Sequence, residues 1–479
     1  MNVRRSMRAT SAALASLLWC TNPALHGEEP PLPNAPNPQL IAQASQSDPH
    51  AQQAPAQQMP PALTNTQQLP APSGPKLTLA DAERMAIQHN PNVSIAHLLQ
   101  LAQTQVARET RSAEFPLAVG NLTAVGAHEN SRITAGALNN PTIYDRAAGG
   151  LTVAQLLTDF GRTHNLVKSA KSNAKAQLEM EQATVEDITL AVDQAFYQAL
   201  TAQSVLRVAQ QTVNTRQATD EQISALANSK LRSTLDLSLA DVQVSQAKLL
   251  VLDAQNALTT AMADLNAILG SEADTQYNLV DETPANPQAA PVNTEDLVQL
   301  AFRARPDLLA LQDRSLAARE FSSAEHDLVR PTISALATAG GTPVRADQIL
   351  SSWFGAAGAN VSIPIFNGFE YTARAREADL RAGAAQEQVR NLRDDVARDV
   401  RTAVLNAEIA FQRIGVTQEL LNQANTALEL AQARYKVGLA GIVDLTQSQL
   451  AQTEAEIGVA NARFAYQAAL AVVKYQTGQ

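Results

Sequence analysis

The most constraining feature of this chain is a long segment, residues 162 to 269, that contains neither glycine nor proline. A similar layout returns after Pro364, the last proline. Helices of globular proteins average about 11–12 residues, whereas segments of this length predict helices of ~67 residues, which reach ~100 Å at ~1.5 Å per residue. Such helices bridge a distance, so they argue against an enzyme built around a pocket.

The composition narrows the architecture and the partner classes. A chain of 479 residues suggests about three ordinary domains, but the internal repeat described below favours one elongated body. The net charge of −10 makes nucleic acid an unsuitable partner. Aromatic residues make up only 4% and alanine dominates the apolar residues, which suits helices that approach one another closely.

Residues 1–27 have the pattern of a secretory signal peptide. Basic residues precede an apolar stretch from Ala9 to Trp19, and small residues from Ala24 to Gly27 offer a cleavage site. Cys20 is the only cysteine, so a disulfide within the chain is excluded. Its place at the end of the apolar stretch is that of the lipid-accepting cysteine of a bacterial lipoprotein. Because Trp19 precedes it where a small residue is expected, lipidation of Cys20 and its removal with the signal are both left open. No other stretch has 18 consecutive apolar residues.

The remainder divides into a linker and two copies of one pattern. Residues 28–75 hold 12 of the 23 prolines and many glutamines, which predicts a disordered linker. Residues 76–270 form the first copy and residues 294–479 the second. A proline-containing linker, residues 271–293, joins the two copies.

Each copy opens with a helix that is followed by two short strands. Thr78 with Asp81, and Asn293 with Asp296, have the spacing of a capping box. In each copy one proline, at position 91 or 306, interrupts the predicted helix, and a second proline, at position 116 or 331, ends it. The spacing between the two prolines is the same in both copies. The predicted strands are residues 117–127, 151–157, 332–339 and 359–366, separated by glycine-rich turns.

Beyond the strands the copies align without a gap, with Asp159 matching Asn367 and Asp236 matching Asp444. The constant spacing between matched positions is called the repeat offset below. A heptad stripe runs through this span and predicts a coiled-coil seam, although one face of a plain helical bundle would also explain it. The stripe consists of Val185, Ile188, Val192, Ala195, Ala199, Ala202, Leu206, Ala209 and Val213. Its counterpart at the repeat offset consists of Arg393, Val396, Val400, Ala403, Ala407, Ala410, Ile414, Thr417 and Leu421.

The predicted fold is therefore mainly α with a small β part, and each copy is ordered helix, strand, strand, very long helix, helix. Four strands cannot close a barrel, and open edges are not tolerated in lipid, so membrane strands would require several chains. Three chains would give a 12-stranded β-barrel. Aromatic residues in or beside the strands favour a membrane position, with a small aromatic core under a sheet as the alternative. They are Phe115, Tyr144, Phe160, Trp353, Phe354, Phe366, Phe369 and Tyr371.

Three local motifs, together with the duplicated unit, resemble the TolC family of outer-membrane efflux proteins. Residues 156–161 (LLTDFG) and 364–368 (PIFNG) resemble the family's junctions between strand and long helix. Residues 435–445 (YKVGLAGIVDL) resemble the turn at the family's periplasmic helix tips. The resemblance covers roughly residues 76 to 479.

The resemblance implies a homotrimer with one 12-stranded barrel in the outer membrane and an α-helical coiled-coil tunnel in the periplasm. It also implies docking of a periplasmic adaptor protein and of an inner-membrane efflux pump or ABC exporter. Exported compounds, in efflux or type I secretion, would cross unchanged and without a cofactor. The resemblance does not identify the cargo.

At the tip, the resemblance assigns Val437, Gly438 and Leu439 to adaptor contact. Glycine at 438 suits a helix-breaking conformation, and exposed apolar residues in a turn are typical of a partner surface. Packing within the helix hairpin is the alternative for Val437 and Leu439.

The resemblance also assigns an aperture. Asp444 matches an acidic ring, whereas the family's second acid is replaced here by Gln447. Tyr435 matches a tyrosine of the gating bonds, and the family's basic partner falls at Ala440, so that latch is absent in its known form. Asp444 could also serve as a helix N-cap, and the two roles are compatible.

The first copy departs further at its tip, where no glycine occurs between Asn228 and Leu237. Asp236 aligns with Asp444. Lys230 and Arg232 could pair with the aspartates across the tip or belong to a solvated turn.

No pattern of catalytic chemistry is evident, and no metal site is predicted. His89 and His97, on one face of the predicted helix, lack a third ligand. The sequence lacks a phosphate-binding glycine loop, an HExxH motif and a nucleophile elbow. Two other classes compete with the channel: a secreted or periplasmic coiled-coil scaffold whose strands never meet lipid, and a periplasmic adaptor, whose lipoyl-like and β-barrel domains are not evident here.

Overall fold

The computed structural model describes residues 74–128, 145–271, 275–283, 293–344 and 351–479. The predicted signal peptide, Cys20, nearly all of the proline-rich linker and Tyr144 lie outside the described residues. The elements in chain order are β1 (Lys76–Leu77), α1 (Leu79–His89), α2 (Pro91–Ser112), β2 (Leu117–Val125), β3 (Arg146–Thr158), α3 (Arg162–Asn228), α4 (Thr234–Ile268), β4 (Asn278–Leu279), α5 (Thr294–Ala304), α6 (Pro306–His326), β5 (Thr332–Val344), β6 (Trp353–Ser362), α7 (Glu370–Lys436) and α8 (Ile442–Thr477). The fold is mainly helical, as predicted.

Two very long helices, α3 and α7, dominate the molecule. Each has 67 residues, and their first residues, Arg162 and Glu370, are related by the repeat offset. Gly383 and Gly415 lie inside α7 without interrupting it. All predicted seam positions are buried or half-buried except Arg393. The Arg393 guanidinium lies 4.5 Å from the centre of the Phe302 ring, so its aliphatic stem and charge cover α5 rather than the seam.

The helix predicted at the start of each copy is two helices in the structure. The breaks lie at Asn90 and Arg305, whose backbones are extended because a residue before proline is excluded from helical geometry. The Asn90 side chain accepts from the backbone N–H of Asn92 at 2.9 Å, and its amide nitrogen donates to the Ile268 carbonyl at 2.8 Å. The first break therefore holds the end of α4.

The second break holds the end of α8 with different chemistry. The buried Arg305 guanidinium donates to both carboxylate oxygens of Asp307, at 3.0 and 2.6 Å, and to the Gln476 side chain. The second break therefore uses charge-assisted hydrogen bonds, whereas the first break uses those of the neutral Asn90 amide.

The predicted capping boxes take a different form. Thr78 accepts from the Asp81 backbone N–H at 3.2 Å, but the Asp81 carboxylate accepts from the Thr78 hydroxyl instead of from its backbone N–H. In the second copy, the Asn293 side chain accepts from the backbone N–H of Glu295 and donates to the Asp296 carboxylate. Both residues cap their helices, without the reciprocal backbone bond of a capping box.

The strands form one antiparallel sheet in the order β2-β3-β5-β6. β3 and β5 are longer than predicted, and β6 begins earlier and ends before Pro364. Glycines that were interpreted as turns lie inside the sheet, where Gly149 pairs with Gly341 and Gly150 pairs with Gly340. A Cβ at Gly340 would lie 2.4 Å from the Gly149 carbonyl oxygen, so glycine allows the two strands to approach here.

The two faces of this sheet differ in polarity. The register places Leu122, Leu151, Val153, Ile333 and Val361 on one face, together with Ala335, Ala337 and Ala357. Gln155 also lies on this face, near the end where the sheet meets the helices. The opposite face carries Asn121, Thr123, Thr152, Ser334, Thr338, Asn360 and Ser362, with Leu117, Val119 and Leu336 among them. No described helix packs broadly onto either face, and Leu122 is 92% exposed.

A second, two-stranded sheet was not predicted. β1 pairs in parallel with β4, which belongs to the linker between the two copies. Leu77, Tyr277 and Leu279 enter the largest apolar cluster beside Phe196 and Leu265. The linker therefore contributes to the core.

None of the helices in the described parts of the chain combines the length and the apolar character that a membrane crossing requires.

The docking of α4 and α8 onto the proline breaks predicts an unequal effect of glycine substitutions. Gly270 has a φ of +72°, and an added Cβ would lie 2.6 Å from the His89 carbonyl oxygen. Gly270→Ala should lower the free energy of unfolding by about 2–4 kcal/mol, from left-handed strain and overpacking. Gly383→Ala, in open space inside α7, is the matched control and should stabilise by up to ~1 kcal/mol. Denaturant unfolding measures both variants, and equal effects would contradict the docking.

Candidate functional site

The candidate site is the tip, defined as the α3–α4 turn, the α7–α8 turn and the first turns of α4 and α8. In the α7–α8 turn, the Gly438 N–H donates to the Tyr435 carbonyl at 3.1 Å, and the Leu439 N–H donates to the Arg434 carbonyl at 2.8 Å. This pair of bonds is a Schellman ending, which needs a left-handed residue, and Gly438 has a φ of +78°.

The α3–α4 turn has the same geometry without a glycine. The Lys230 N–H donates to the Ala227 carbonyl and the Leu231 N–H to the Leu226 carbonyl, both at 2.9 Å. Lys230 matches Gly438 at the repeat offset and takes the left-handed conformation itself, with a φ of +60°. The missing glycine therefore leaves the turn unchanged, at a strain of about 1–2 kcal/mol.

Both turns present apolar side chains to solvent. Val437 and Leu439 are 70% and 71% exposed, so they do not pack within the hairpin. Leu231, the counterpart of Leu439, is 72% exposed. Leu235 and Val443, another pair related by the repeat offset, are also exposed. These five residues are called the tip surface below.

Sequence reasoning found Val437 and Leu439 but missed the other three residues of the tip surface. The repeat offset would have identified Leu231 as the counterpart of Leu439.

The α3–α4 pair and the α7–α8 pair are called the first and the second hairpin below. A small apolar cluster beneath the tip surface joins these two hairpins. It consists of Ile223, Ala240, Leu428, Tyr435, Ile442 and Leu445. Tyr435 is buried, and its hydroxyl has no hydrogen-bond partner in the described part of the chain.

Arg232 crosses from the first hairpin to the second. Its guanidinium lies 4.2 Å from the centre of the Tyr435 ring and donates to the Tyr435 carbonyl oxygen at 2.6 Å. Burial raises the pKa of the Tyr435 phenol, the Arg232 charge opposes that rise, and the Asp236 charge adds to it. Among the described residues no ion pair includes Lys230 or Arg232, so Arg232 adopts neither role considered for it, pairing with an aspartate or a place in a solvated turn.

The aperture candidates lie at the start of α4 and α8. Asp444 is exposed, and its carboxylate accepts from the Gly441 N–H at 3.3 Å. Gly441 is the N-cap, so Asp444 caps α8 from the third helical position instead of as the N-cap itself. Gln447, three residues further along α8, is exposed as well. In the first copy Ser233 caps α4, and the half-buried Asp236 occupies the corresponding third position.

A polar layer holds α3 against α8 further from the tip. The buried Arg216 guanidinium donates to the Gln449 side chain, whose amide nitrogen donates to the Thr219 hydroxyl at 3.3 Å. Burial lowers the pKa of Arg216. Sequence reasoning missed this layer because Arg216 and Gln449 are far apart in the chain.

The structure groups no metal ligands in the regions that it describes. His89 and His97 belong to different helices, because the chain breaks at Asn90, so they do not share a helix face. The His97 ring contacts the Glu181 carboxylate at 2.8 Å.

Residues 83–271 and 297–479 match the family model described as "Outer membrane efflux protein". TolC of Vibrio cholerae is 24% identical over 414 residues, which cover 81% of this chain and 87% of that protein. TolC of Salmonella enteritidis is 23% identical, over a match that covers 70% of this chain and 69% of that protein.

Among solved structures, the Campylobacter jejuni CmeC outer membrane channel superposes with a TM-score of 0.73 at 15% identity, covering 84% of this chain and 85% of that one. That likeness shows a shared fold. The family match extends over most of the chain, and this protein belongs to the outer membrane efflux protein family.

Proposed function

We propose that the protein is the outer-membrane channel of a tripartite efflux or type I secretion system, through which exported compounds pass unchanged. Its family places it in the outer membrane with its helices in the periplasm. The observation that carries the proposal is the four-stranded sheet, which has an uncovered apolar face and continues into helices of 67 residues. Lipid is the medium that an uncovered apolar sheet face fits.

The open edges of this sheet call for neighbouring chains. β2 and β6 are edge strands, and each presents an unpaired row of backbone groups. Pairing of β2 with β6 of another copy removes both edges, and three copies close a 12-stranded barrel. The homotrimer also provides cover for apolar residues that are exposed along the long helices, among them Leu249, Leu252, Leu405, Ile409 and Leu420.

Aromatic residues stand where the sheet meets the helices, as at a membrane interface. Phe366 and Phe369 are exposed and contact each other edge to face, with ring centres 5.8 Å apart. Phe115 and Phe160 are exposed at the corresponding end of the first copy.

The tip surface is the proposed docking site for a periplasmic adaptor, which connects the channel to an inner-membrane efflux pump or ABC exporter. The second hairpin contributes Val437, Leu439 and Val443, with Gly438 in the turn between the first two, and the first hairpin contributes Leu231 and Leu235. Exposed apolar side chains on a turn with fixed backbone bonds make a preformed contact. Asp444, Gln447 and Asp236 are the proposed aperture residues, and Tyr435 with Arg232 holds the two hairpins together beside them.

Fractionation tests the channel. Cells expressing the protein are separated into periplasm, inner membrane and outer membrane, and each fraction is run unheated and boiled. We expect an outer-membrane trimer that dissociates to the monomer on boiling, because a shared barrel resists detergent until heated. A soluble periplasmic protein would mean that the strands do not meet lipid, and a coiled-coil scaffold would then replace the channel.

Single-channel conductance tests the contact between the hairpins. Arg232→Ala removes the ring contact and the bond to the Tyr435 carbonyl, so the closed channel should conduct several-fold more. A loss of about 1–2 kcal/mol of closing free energy corresponds to a roughly 5–30-fold shift toward the open state. Lys230→Ala is the matched control and should leave the conductance unchanged.

Asp444→Ala belongs in the same experiment. An exposed carboxylate at the aperture attracts cations, so its removal should change the conductance and the cation selectivity. No change with Asp444→Ala would count against Asp444 as a constriction, and equal effects of Arg232→Ala and Lys230→Ala would count against the hairpin contact.

Site-specific photo-crosslinking in cells tests adaptor docking. A crosslinker in place of Leu439 should give an adduct with a periplasmic protein anchored to the inner membrane, and so should one in place of Leu231. The control position is Leu178, which is half exposed on α3 far along the chain from either turn. An adduct at Leu178 equal to that at Leu439, or none at Leu439, would contradict docking at the tip.

A further inference from the structure

A buried carboxyl group lies where α1 packs on α3. Asp193 is only 5% exposed and sits among core residues that include Val192 and Phe196 of α3 and Ala82 and Ala86 of α1. Its Oδ1 atom has no hydrogen-bond partner in the described part of the chain. A buried carboxylate without full hydrogen bonding is unfavourable, so this group is poised to take up a proton.

The group that faces Asp193 is another acid. Glu83 lies on α1 between the buried residues Ala82 and Ala86, and its side chain hydrogen-bonds Asp193. Burial, the hydrogen bond with Glu83 and the Glu83 charge together raise the pKa of Asp193 to about 7. Two carboxyl groups in such contact share one proton, because both cannot ionise in an apolar site.

The other charged groups around the pair do not neutralise it. Lys474 on α8 lowers the pKa of Asp193, but less than burial and Glu83 raise it. Arg463 on α8 is held by Asp281 at 3.1 Å. Burial, followed by the charges of Asp193 and Glu83, raises the pKa of Tyr197 to about 12, so this phenol stays neutral. Asp281 and Glu282, in the segment after β4, also face this side and add negative charge.

The second copy contains a different pair at the corresponding place. The position that matches Asp193 at the repeat offset is Arg401 on α7, and its guanidinium pairs with Glu295 on α5 at 3.2 Å. Arg401 and Glu295 attract each other as opposite charges and need no shared proton. α5 therefore provides an internal control for α1.

We propose that the contact between α1 and α3 is a pH-sensitive joint, in which Asp193 and Glu83 share one proton so that acid tightens the docking of α1 and alkali loosens it. The joint involves neither the sheet nor the tip, and it does not depend on what the channel carries.

The direction follows from proton binding. When α1 separates from α3, water reaches Asp193 and the pKa of its carboxyl group returns toward the usual value of 3.8. In the docked form the pKa of Asp193 is about 7. Between these values the docked form binds more protons than the open form, so docking weakens as the pH rises from about 4 to about 7. Above that range both forms are ionised and the loss levels off.

Amide hydrogen exchange of the full-length protein in detergent tests the joint. Protection of α1 is measured at pH 5.5 and 7.5, corrected for the intrinsic exchange rate, and compared with that of α5. In the native chain, α1 should lose protection on the order of tenfold relative to α5. Asp193→Asn keeps the shape and removes the titrating group, so the loss should disappear.

Two further variants keep the result interpretable. Burial also raises the pKa of Glu186, one heptad earlier on α3, to about 7, and Glu186→Gln should leave the α1 loss in place. Glu83→Gln removes the facing acid and should make the loss smaller, because burial alone still raises the pKa of Asp193, and this variant tests the shared proton if Asp193→Asn does not fold. Equal protection of α1 at both pH values in the native chain, or an equal loss with Asp193→Asn, would overturn the proposal.

Discussion

Close approach of very long helices along alanine-lined faces is the constraint on which the rest of the structure depends. Most buried side chains of α3, α4, α7 and α8 are small, with Ala195, Ala199, Ala254 and Ala403 as examples. Small side chains bury little area each, so stability has to accumulate along the full length of the helices. The apolar clusters that contain larger side chains lie beside α1, beside α5 and at the tip.

The sequence predicted the elements that depend on periodicity. The lengths of α3 and α7 and the repeat offset follow from heptads and from the absence of proline, which are local signals. The sequence did not predict features that depend on proximity between distant segments. Gly149 and Gly341 have the composition of turns, but they pair across two strands. Their role requires knowing that β3 and β5, which are far apart in the chain, are neighbours in the sheet.

The candidate site shows the same division. Val437 and Leu439 were predicted through a local motif. For Arg232 the sequence left two roles open, pairing with an aspartate or a place in a solvated turn, whereas its partner is the ring and carbonyl of Tyr435. Asp193 gave no signal, since a single aspartate in a helical pattern is ordinary until its burial against α1 is known.

The positions at which the two copies differ carry the specific behaviour. Lys230 keeps the turn of Gly438 under strain, Asp193 stands where Arg401 makes an ion pair, and Asn90 stands where Arg305 binds Asp307. Contacts within each hairpin, α3 with α4 and α7 with α8, are more extensive than the contacts between the hairpins, which run mainly between α3 and α8. Near the tip the two hairpins are joined by the small apolar cluster, by Arg232 on Tyr435 and by Arg216 on Gln449. Separation of the hairpins at the tip would break these contacts and leave the alanine-lined contacts within each hairpin intact, so the proposed aperture would open without unfolding the long helices.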